Sequence, residues 1–245
     1  MGTTAGNKRP ARDPRTAIGT QQRTADECLL DTQADFTDSD PWRVLRIQSE
    51  FVNGFDTMAG LGPAVTIFGS ARTPEEAPIY QAAVETARLL ALEGVAIITG
   101  GGPGIMEAAN RGARLGKGLS VGFAIELPFE EAANPYVDIA ITFRYFFVRK
   151  TMFVKYAQSF VIFPGGFGTM DELFEALTLI QTGKIHNFPV VLYGSDYWSG
   201  LLDWLKATMA ERGNISPEDL ERFVVVDAPE EVRELLKARM VLPGQ

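Results

Sequence analysis

From Gly62 onward the apolar residues come in short runs of strand length, separated by longer stretches in which they recur every three or four positions. That alternation belongs to a parallel sheet covered on both faces. Strands buried on both sides read as continuous apolar runs, and the crossover helices between them are amphipathic. The runs predict strands at 64–68, 95–99, 119–124, 138–142, 160–163, 189–193 and 223–226, with helices at about 75–93, 104–116, 144–157, 169–182, 197–211 and 229–238. Thr73-Pro74-Glu75-Glu76 and Ser216-Pro217-Glu218 each join a capping side chain to a proline suited to the first helical position, so both mark helix starts. The expected fold class is α/β, a doubly wound parallel sheet of about seven strands with helices on both faces.

The pattern before Gly62 is different. Residues 1–38 mix Thr, Arg, Asp, Gly and Pro with few large apolar side chains, too few to offset the entropy of ordering, and are expected to form a disordered tail. Over 39–61, Trp42, Leu45, Phe51, Val52, Phe55 and Met58 recur at near-helical spacing, which predicts an amphipathic helix lying on the main domain or on a partner chain. Residues 62–245 are then a single catalytic domain.

Composition narrows the function. A formal net charge of −8 with a pI near 4.8 argues against a nucleic acid polymer as partner, since such a partner calls for a basic surface that releases counterions. A small phosphorylated ligand remains compatible, because a local cradle can hold it against the global field. Cys28 is the single cysteine and His186 the single histidine. An intrachain disulfide, a thiolate metal cluster and the usual zinc sites are thereby removed, so no metal and no cofactor are expected. With no apolar run of membrane-spanning length and no signal-type apolar segment, no membrane partner is expected and a cytoplasmic location is the default.

Three strand ends carry glycine-rich turns: Gly69-Ser70-Ala71-Arg72, Thr99-Gly100-Gly101-Gly102-Pro103-Gly104 and Pro164-Gly165-Gly166-Phe167-Gly168-Thr169. Any one of them has a purely steric explanation, but three on the carboxyl edge of one sheet point to a nucleotide site. The third turn runs into a helix, where free N–H groups and the helix dipole favour an anion. Glu172 follows it. Thr169-x-x-Glu172 is also the spacing of a capping box. Against that being the whole role, Asp171, Glu175, Thr178 and Thr182 form the solvent stripe, while Glu172 aligns with Ala176 and Leu179 and turns toward the crevice. There it can serve as general base or stabilise a cationic transition state.

Arg149 and Lys150 interrupt an otherwise apolar, aromatic helix, with Arg149 on the face of Tyr145, Met152, Phe153 and Tyr156. An arginine in that setting calls for an anionic partner: a substrate phosphate or ribose, Glu172, or an interface carboxylate. The aromatics read as core or dimer interface. His186, in a loop entering a strand, reads as structural or solvent-facing.

Pro164-Gly165-Gly166-Phe167-Gly168-Thr169-Met170-Asp171-Glu172 fits the PGGxGTxxE signature of the Lonely Guy family, and Arg149-Lys150 fits its upstream arginine-lysine pair. The turn Gly100-Gly101-Gly102-Pro103-Gly104-Ile105-Met106 resembles its GGGxxGLM element, and Leu127-Pro128-Phe129-Glu130 its LPxE element. The resemblance covers about 62–228 and implies a Rossmann-like domain that hydrolyses the N-glycosidic bond of a nucleoside 5′-monophosphate to free base and ribose 5-phosphate. It implies Arg149 and Glu172 as the catalytic pair. It also implies substrate contacts from Glu130, Lys150, Gly165, Gly166, Gly168 and Thr169, beside Ser70, Gly101 and Gly102, which the other two glycine turns offer. Pro103, Ile105 and the N-terminal extension resemble the longer bacterial branch, which implies a homodimer at least and a higher homo-oligomer in some members. Relatives are often labelled lysine decarboxylases, yet no lysine here is placed for a pyridoxal Schiff base.

The substrate reading is AMP or an N6-substituted AMP such as a cytokinin ribotide. The alternatives are a general purine or pyrimidine 5′-nucleotide nucleosidase of salvage and a non-catalytic nucleotide or cofactor carrier.

Overall fold

The structure is a computed structural model that describes residues 24–30, 36–127 and 133–240. Seven strands, β1 (Ala64–Phe68), β2 (Ala96–Thr99), β3 (Ser120–Ile125), β4 (Ile139–Phe143), β5 (Ser159–Ile162), β6 (Val190–Tyr193) and β7 (Phe223–Val226), form one parallel sheet in the order β4-β3-β2-β1-β5-β6-β7. Each lies within about two residues of its expected position, the usual uncertainty of element ends. The chain starts in the middle at β1, winds outward through β2, β3 and β4, then crosses to β5 on the other side of β1 and winds outward again. This is the doubly wound arrangement of a Rossmann-like protein, with its switch point between β1 and β5.

Side-chain alternation along the strands feeds two cores. On one face Val65, Ile67 and Val161 pack with helices α3 (Pro78–Leu92), α4 (Ile105–Leu115) and α8 (Pro229–Arg239), through residues such as Tyr80, Ala109 and Leu236. On the other face Phe68, Phe160 and Ile162 pack with α5 (Phe146–Tyr156), α6 (Phe167–Gln181) and α7 (Ser195–Trp204), through Phe153, Leu173 and Trp198. Close contact between α3 and α4 requires Gly112, where a Cβ would come 2.1 Å from the Val84 carbonyl oxygen.

Two helices precede the sheet. The short α1 (Ala25–Leu30) lies within the stretch expected to lack order. Thr24 and Glu27 close a reciprocal cap there, each side chain accepting from the other's backbone N–H, a local signal that the composition of the tail obscured. The rest of the proposed tail up to residue 35 lies outside the described residues. Helix α2 (Phe36–Thr57) packs on the domain itself. Met58, just past its end, is 1% exposed, and Ile47 and Phe51 join the core. The Glu50 carboxylate accepts from the N–H groups of Arg144 at 3.0 Å and Tyr145 at 3.4 Å, just before α5 begins. Apolar anchoring of α2 is one-sided, since Trp42, Leu45 and Val52 on its opposite side stay exposed.

Thr73-Pro74 does not start a helix. The chain turns there, and α3 begins at Pro78 with Ala77 as its cap residue. Pro78 occupies the first helical position, while Glu75 pairs with Arg111 across the turn. Ser216-Pro217 does start one, the short 3₁₀ turn Pro217–Glu221, where Ser216 and Asp219 form the capping box.

Candidate active site

The turns after β1 and β5 sit side by side at the switch point, the position at which a doubly wound sheet leaves a crevice between diverging connections. The Ser70 N–H donates to the Pro164 carbonyl at 3.0 Å, and the Ser70 carbonyl accepts from the Ile105 N–H at 3.0 Å, so all three glycine turns are stitched together. Gly104 makes this possible: its φ is +67°, and a Cβ there would come 2.4 Å from the Ser70 carbonyl oxygen. Between the first and third turns lies an open cavity of about 690 Å³, bordered by Ser70, Arg72, Gly165, Gly166, Phe167, Gly168, Thr169 and Tyr197.

Helix α6 begins at Phe167 with Gly166 as its cap residue, two residues earlier than the apolar spacing suggests. The first helical bond runs from the Met170 N–H to the Gly166 carbonyl at 3.0 Å, so the N–H groups of the turn before it lack intrahelical acceptors. No side-chain cap forms, and Thr169 with Glu172 does not make a capping box, because Thr169 is already inside the first turn. Its hydroxyl instead packs against Gly165, where a Cβ would lie 2.1 Å away. Gly166 and Gly168 are different: a Cβ on either meets nothing within 4 Å, and neither has a positive φ. The fold of this chain does not require their lack of a side chain, and helical Gly168 costs about 1 kcal/mol relative to alanine. What the two glycines provide is a bare backbone facing the cavity. The Tyr197 hydroxyl braces it from α7, donating to the Gly165 carbonyl at 2.7 Å.

Glu172 lies one turn along α6 from Thr169 and is 7% exposed. Among the described residues its Oε2 has no hydrogen-bond partner, and its Oε1 is 3.8 Å from Lys150 Nζ. Burial raises its pKa to about 7, against the opposing pull of Lys150 and Arg149 and with a small push from Glu175 and Asp171. A carboxyl poised there exchanges protons readily at neutral pH. Lys150 also bridges Asp171 at 3.0 Å and Glu175 more closely still. Burial alone lowers the Lys150 pKa, but the Glu175 hydrogen bond and the charges of Glu172 and Asp171 outweigh it, leaving the ammonium above its ordinary value. Arg149 is half-buried. Its Nε donates to the Phe123 carbonyl at 2.7 Å and its guanidinium lies over the Phe153 ring, which aims the fork along the Gly100 turn. A Cβ on Gly100 would come 2.5 Å from that guanidinium, so the second glycine turn makes room for the arginine.

The residues expected at the site thus separate. Ser70, Gly165, Gly166, Gly168 and Thr169 share the cavity wall, while Arg149, Lys150 and Glu172 form an adjoining charged cluster. Gly101 and Gly102 do not border that cavity. The Gly101 N–H donates to the Thr99 hydroxyl, and Asn134 Nδ2 donates to the carbonyls of both glycines and to Asn110 Oδ1, a buried network that holds the turn. Glu130 lies outside the described residues. His186 is exposed and borders a depression of about 830 Å³ with Gln158, Pro189, Arg222 and Arg239. That depression is larger than the crevice but lies at the amino ends of the strands, away from every glycine turn. Nothing local in the sequence marks Tyr197 or Asn134 as belonging to these turns. Tyr197 is 32 positions from the carbonyl it braces.

Comparison with known proteins follows this geometry. Residues 106–236 match the family model described as "Possible lysine decarboxylase". The chain is 33% identical over 171 residues to the cytokinin riboside 5′-monophosphate phosphoribohydrolase of Mycobacterium tuberculosis, an alignment covering 69% of this chain and 89% of that one. It is 28% identical over 169 residues to a probable enzyme of the same name from Arabidopsis thaliana, covering 68% and 82%. Among solved structures, the molybdenum cofactor binding protein from the phototrophic bacterium Rippkaea orientalis superposes with a TM-score of 0.53 at 28% identity, over 72% of this chain and 96% of that one. Sheet order and crevice define a Rossmann-like protein, and the relatives it matches are named as phosphoribohydrolases. The chain belongs to the Lonely Guy family of phosphoribohydrolases. The decarboxylase description fits the chemistry poorly, since a Schiff base needs a lysine that sheds its proton and Lys150 is held protonated by three carboxylates.

Proposed function

We propose that the protein hydrolyses AMP or an N6-substituted AMP of the cytokinin ribotide kind, releasing the free base and ribose 5-phosphate. The observation that carries this reading is Glu172, a buried carboxyl with one unpartnered oxygen and a pKa near 7, one helical turn from a bare glycine cradle. The 5′-phosphate binds the N–H groups of the Gly165–Thr169 turn, which sets the ribose against the acid. As the C1′–N bond breaks, its electron pair leaves with the base and the ribose becomes oxocarbenium-like. Ionised Glu172 stabilises that charge and takes a proton from the water that attacks C1′; the departing base nitrogen gains a proton from solvent, and Glu172 returns its own to solvent, which closes the cycle. Arg149 completes the catalytic pair by holding the substrate and favouring the ionised form of Glu172. Lys150, expected as a substrate contact, is engaged by three carboxylates, which supports a role exerted through Glu172.

The carrier reading shares the cradle but has no use for a poised acid. Incubation with AMP and with isopentenyladenosine monophosphate, followed by chromatography of released base, separates the two. Base release that is lost in Glu172→Gln supports the hydrolase. Tight nucleotide binding without release of base from any nucleotide would make the protein a carrier, and preference for unmodified purine or pyrimidine nucleotides would make it a salvage nucleosidase.

A further inference from the structure

A cradle of N–H groups and a helix dipole supply about half a positive charge, whereas a phosphate monoester carries between one and two negative charges near neutral pH. The chain as a whole is at −8, so its long-range field opposes such a ligand. A formal cation must therefore meet the phosphate, and the two expected cations are committed elsewhere. Lys150 is taken up by Asp171, Glu172 and Glu175. Arg149 is anchored to the Phe123 carbonyl and lies along the Gly100 turn, on the side of the acid.

Among the described residues bordering the cradle cavity, Arg72 alone carries a formal charge. It stands on the turn after β1 and lines the same cavity as the Gly165–Thr169 backbone. Its own N–H donates to the Ser70 hydroxyl at 3.1 Å, and the bonds from Ser70 to Pro164 and Ile105 hold that turn in place. The backbone is thus positioned while the side chain remains exposed to solvent, and among the described residues no carboxylate pairs with its guanidinium. An unpaired fork of N–H donors beside a bare glycine turn matches the oxygens of a phosphate.

We propose that Arg72 is the charge partner of the substrate's 5′-phosphate, meeting it within the cavity that the cradle also lines, so that the site selects nucleotides over nucleosides. The proposal rests on the nucleotide reading of the crevice, but not on turnover. Its test is calorimetric titration of the full chain, wild type and the Arg72→Ala and Arg72→Lys variants, with ribose 5-phosphate and with inorganic phosphate, alongside steady-state kinetics on AMP. Losing a charge-assisted contact weakens ribose 5-phosphate binding by about 10- to 100-fold in Arg72→Ala. The lysine variant recovers part of the loss. The KM for AMP rises in parallel while kcat moves by less than about threefold, as expected for binding shared by ground and transition states. Circular dichroism of both variants should match wild type, since the side chain is exposed to solvent. Unchanged affinity of Arg72→Ala for ribose 5-phosphate would overturn the proposal, as would a wild-type protein that binds neither phosphate. Phosphate binding that depends on Arg72 without any base release would instead leave this proposal standing and remove the hydrolase reading.

Discussion

Glu172 is where one residue's surroundings decide its chemistry. Burial and an unpartnered oxygen hold its carboxyl near pKa 7, so the ionised form needed to stabilise an oxocarbenium ion gains population as pH rises toward that value. The kcat/KM for AMP should therefore climb through about pH 7 on its acid limb. Lys150→Met should shift that limb to higher pH, because its ammonium favours the ionised acid. The substrate phosphate titrates identically for both enzymes, so the displacement between the two profiles belongs to the protein. Overlapping profiles would show that Lys150 does not act through Glu172.

The same burial carries a stability cost with a defined sign. Below the ordinary value of 4.5 the carboxyl is protonated in both folded and unfolded states and costs nothing. Between 4.5 and about 7 the folded state binds more protons, so stability falls as pH rises, and above that interval the full penalty applies. At its largest the penalty is about 3 kcal/mol. Glu172→Gln should accordingly melt higher than wild type at pH 8 and show little gain at pH 4.5, while losing about 10²- to 10⁴-fold in kcat. A variant that melts lower at pH 8 would mean that the ionised carboxylate is a net structural support.

At the scale of elements, the cradle depends on how a turn and a helix start meet. Gly165 lets the Thr169 hydroxyl pack beneath the turn, whereas Gly166 and Gly168 are dispensable to the fold. Gly165→Ala should destabilise the protein by about 1–3 kcal/mol through overpacking. Gly168→Ala should leave the melting temperature the same or higher while weakening binding of ribose 5-phosphate. Denaturant titration beside calorimetry reads both. Equal losses of stability in the two variants would remove the distinction on which the cradle rests. The local sequence signalled the strand, the glycines and the helix. It misplaced the helix start, because a Thr-x-x-Glu spacing looks like a cap until the backbone of Gly166 is seen to fill that role.

At the scale of the whole molecule, α2 has apolar residues on two sides. Phe51 and Met58 pack on the domain, leaving Trp42, Leu45 and Val52 exposed, and Phe146 and Phe147 on α5 are each 40% exposed. We propose that a second copy of the chain covers surface of this kind, giving at least a homodimer. Light scattering should return at least twice the 26.8 kDa chain mass, and Phe146→Glu with Phe147→Glu should lower it. A monomeric wild type would refute the assembly. Deleting α2 is a poor test, since Met58 and the Glu50 bonds to the start of α5 would go with it or lose their support. Among the described residues no helix is long and apolar enough to cross a membrane.

Strand positions, the two-faced sheet and the three glycine turns were legible in the sequence because they are governed by local periodicity and by backbone sterics. The burial of Glu172 was legible too, as a matter of helical angle from Asp171. Tertiary structure alone decided which groups meet across the crevice. It bound Lys150 to three carboxylates, set Tyr197 beneath Gly165, tied the Gly101 turn to Asn134, and brought Arg72 to the cavity that the cradle lines. Those pairings arise from the parallel strand order and its crossovers, which make neighbours of segments far apart in the chain, and no local pattern encodes them.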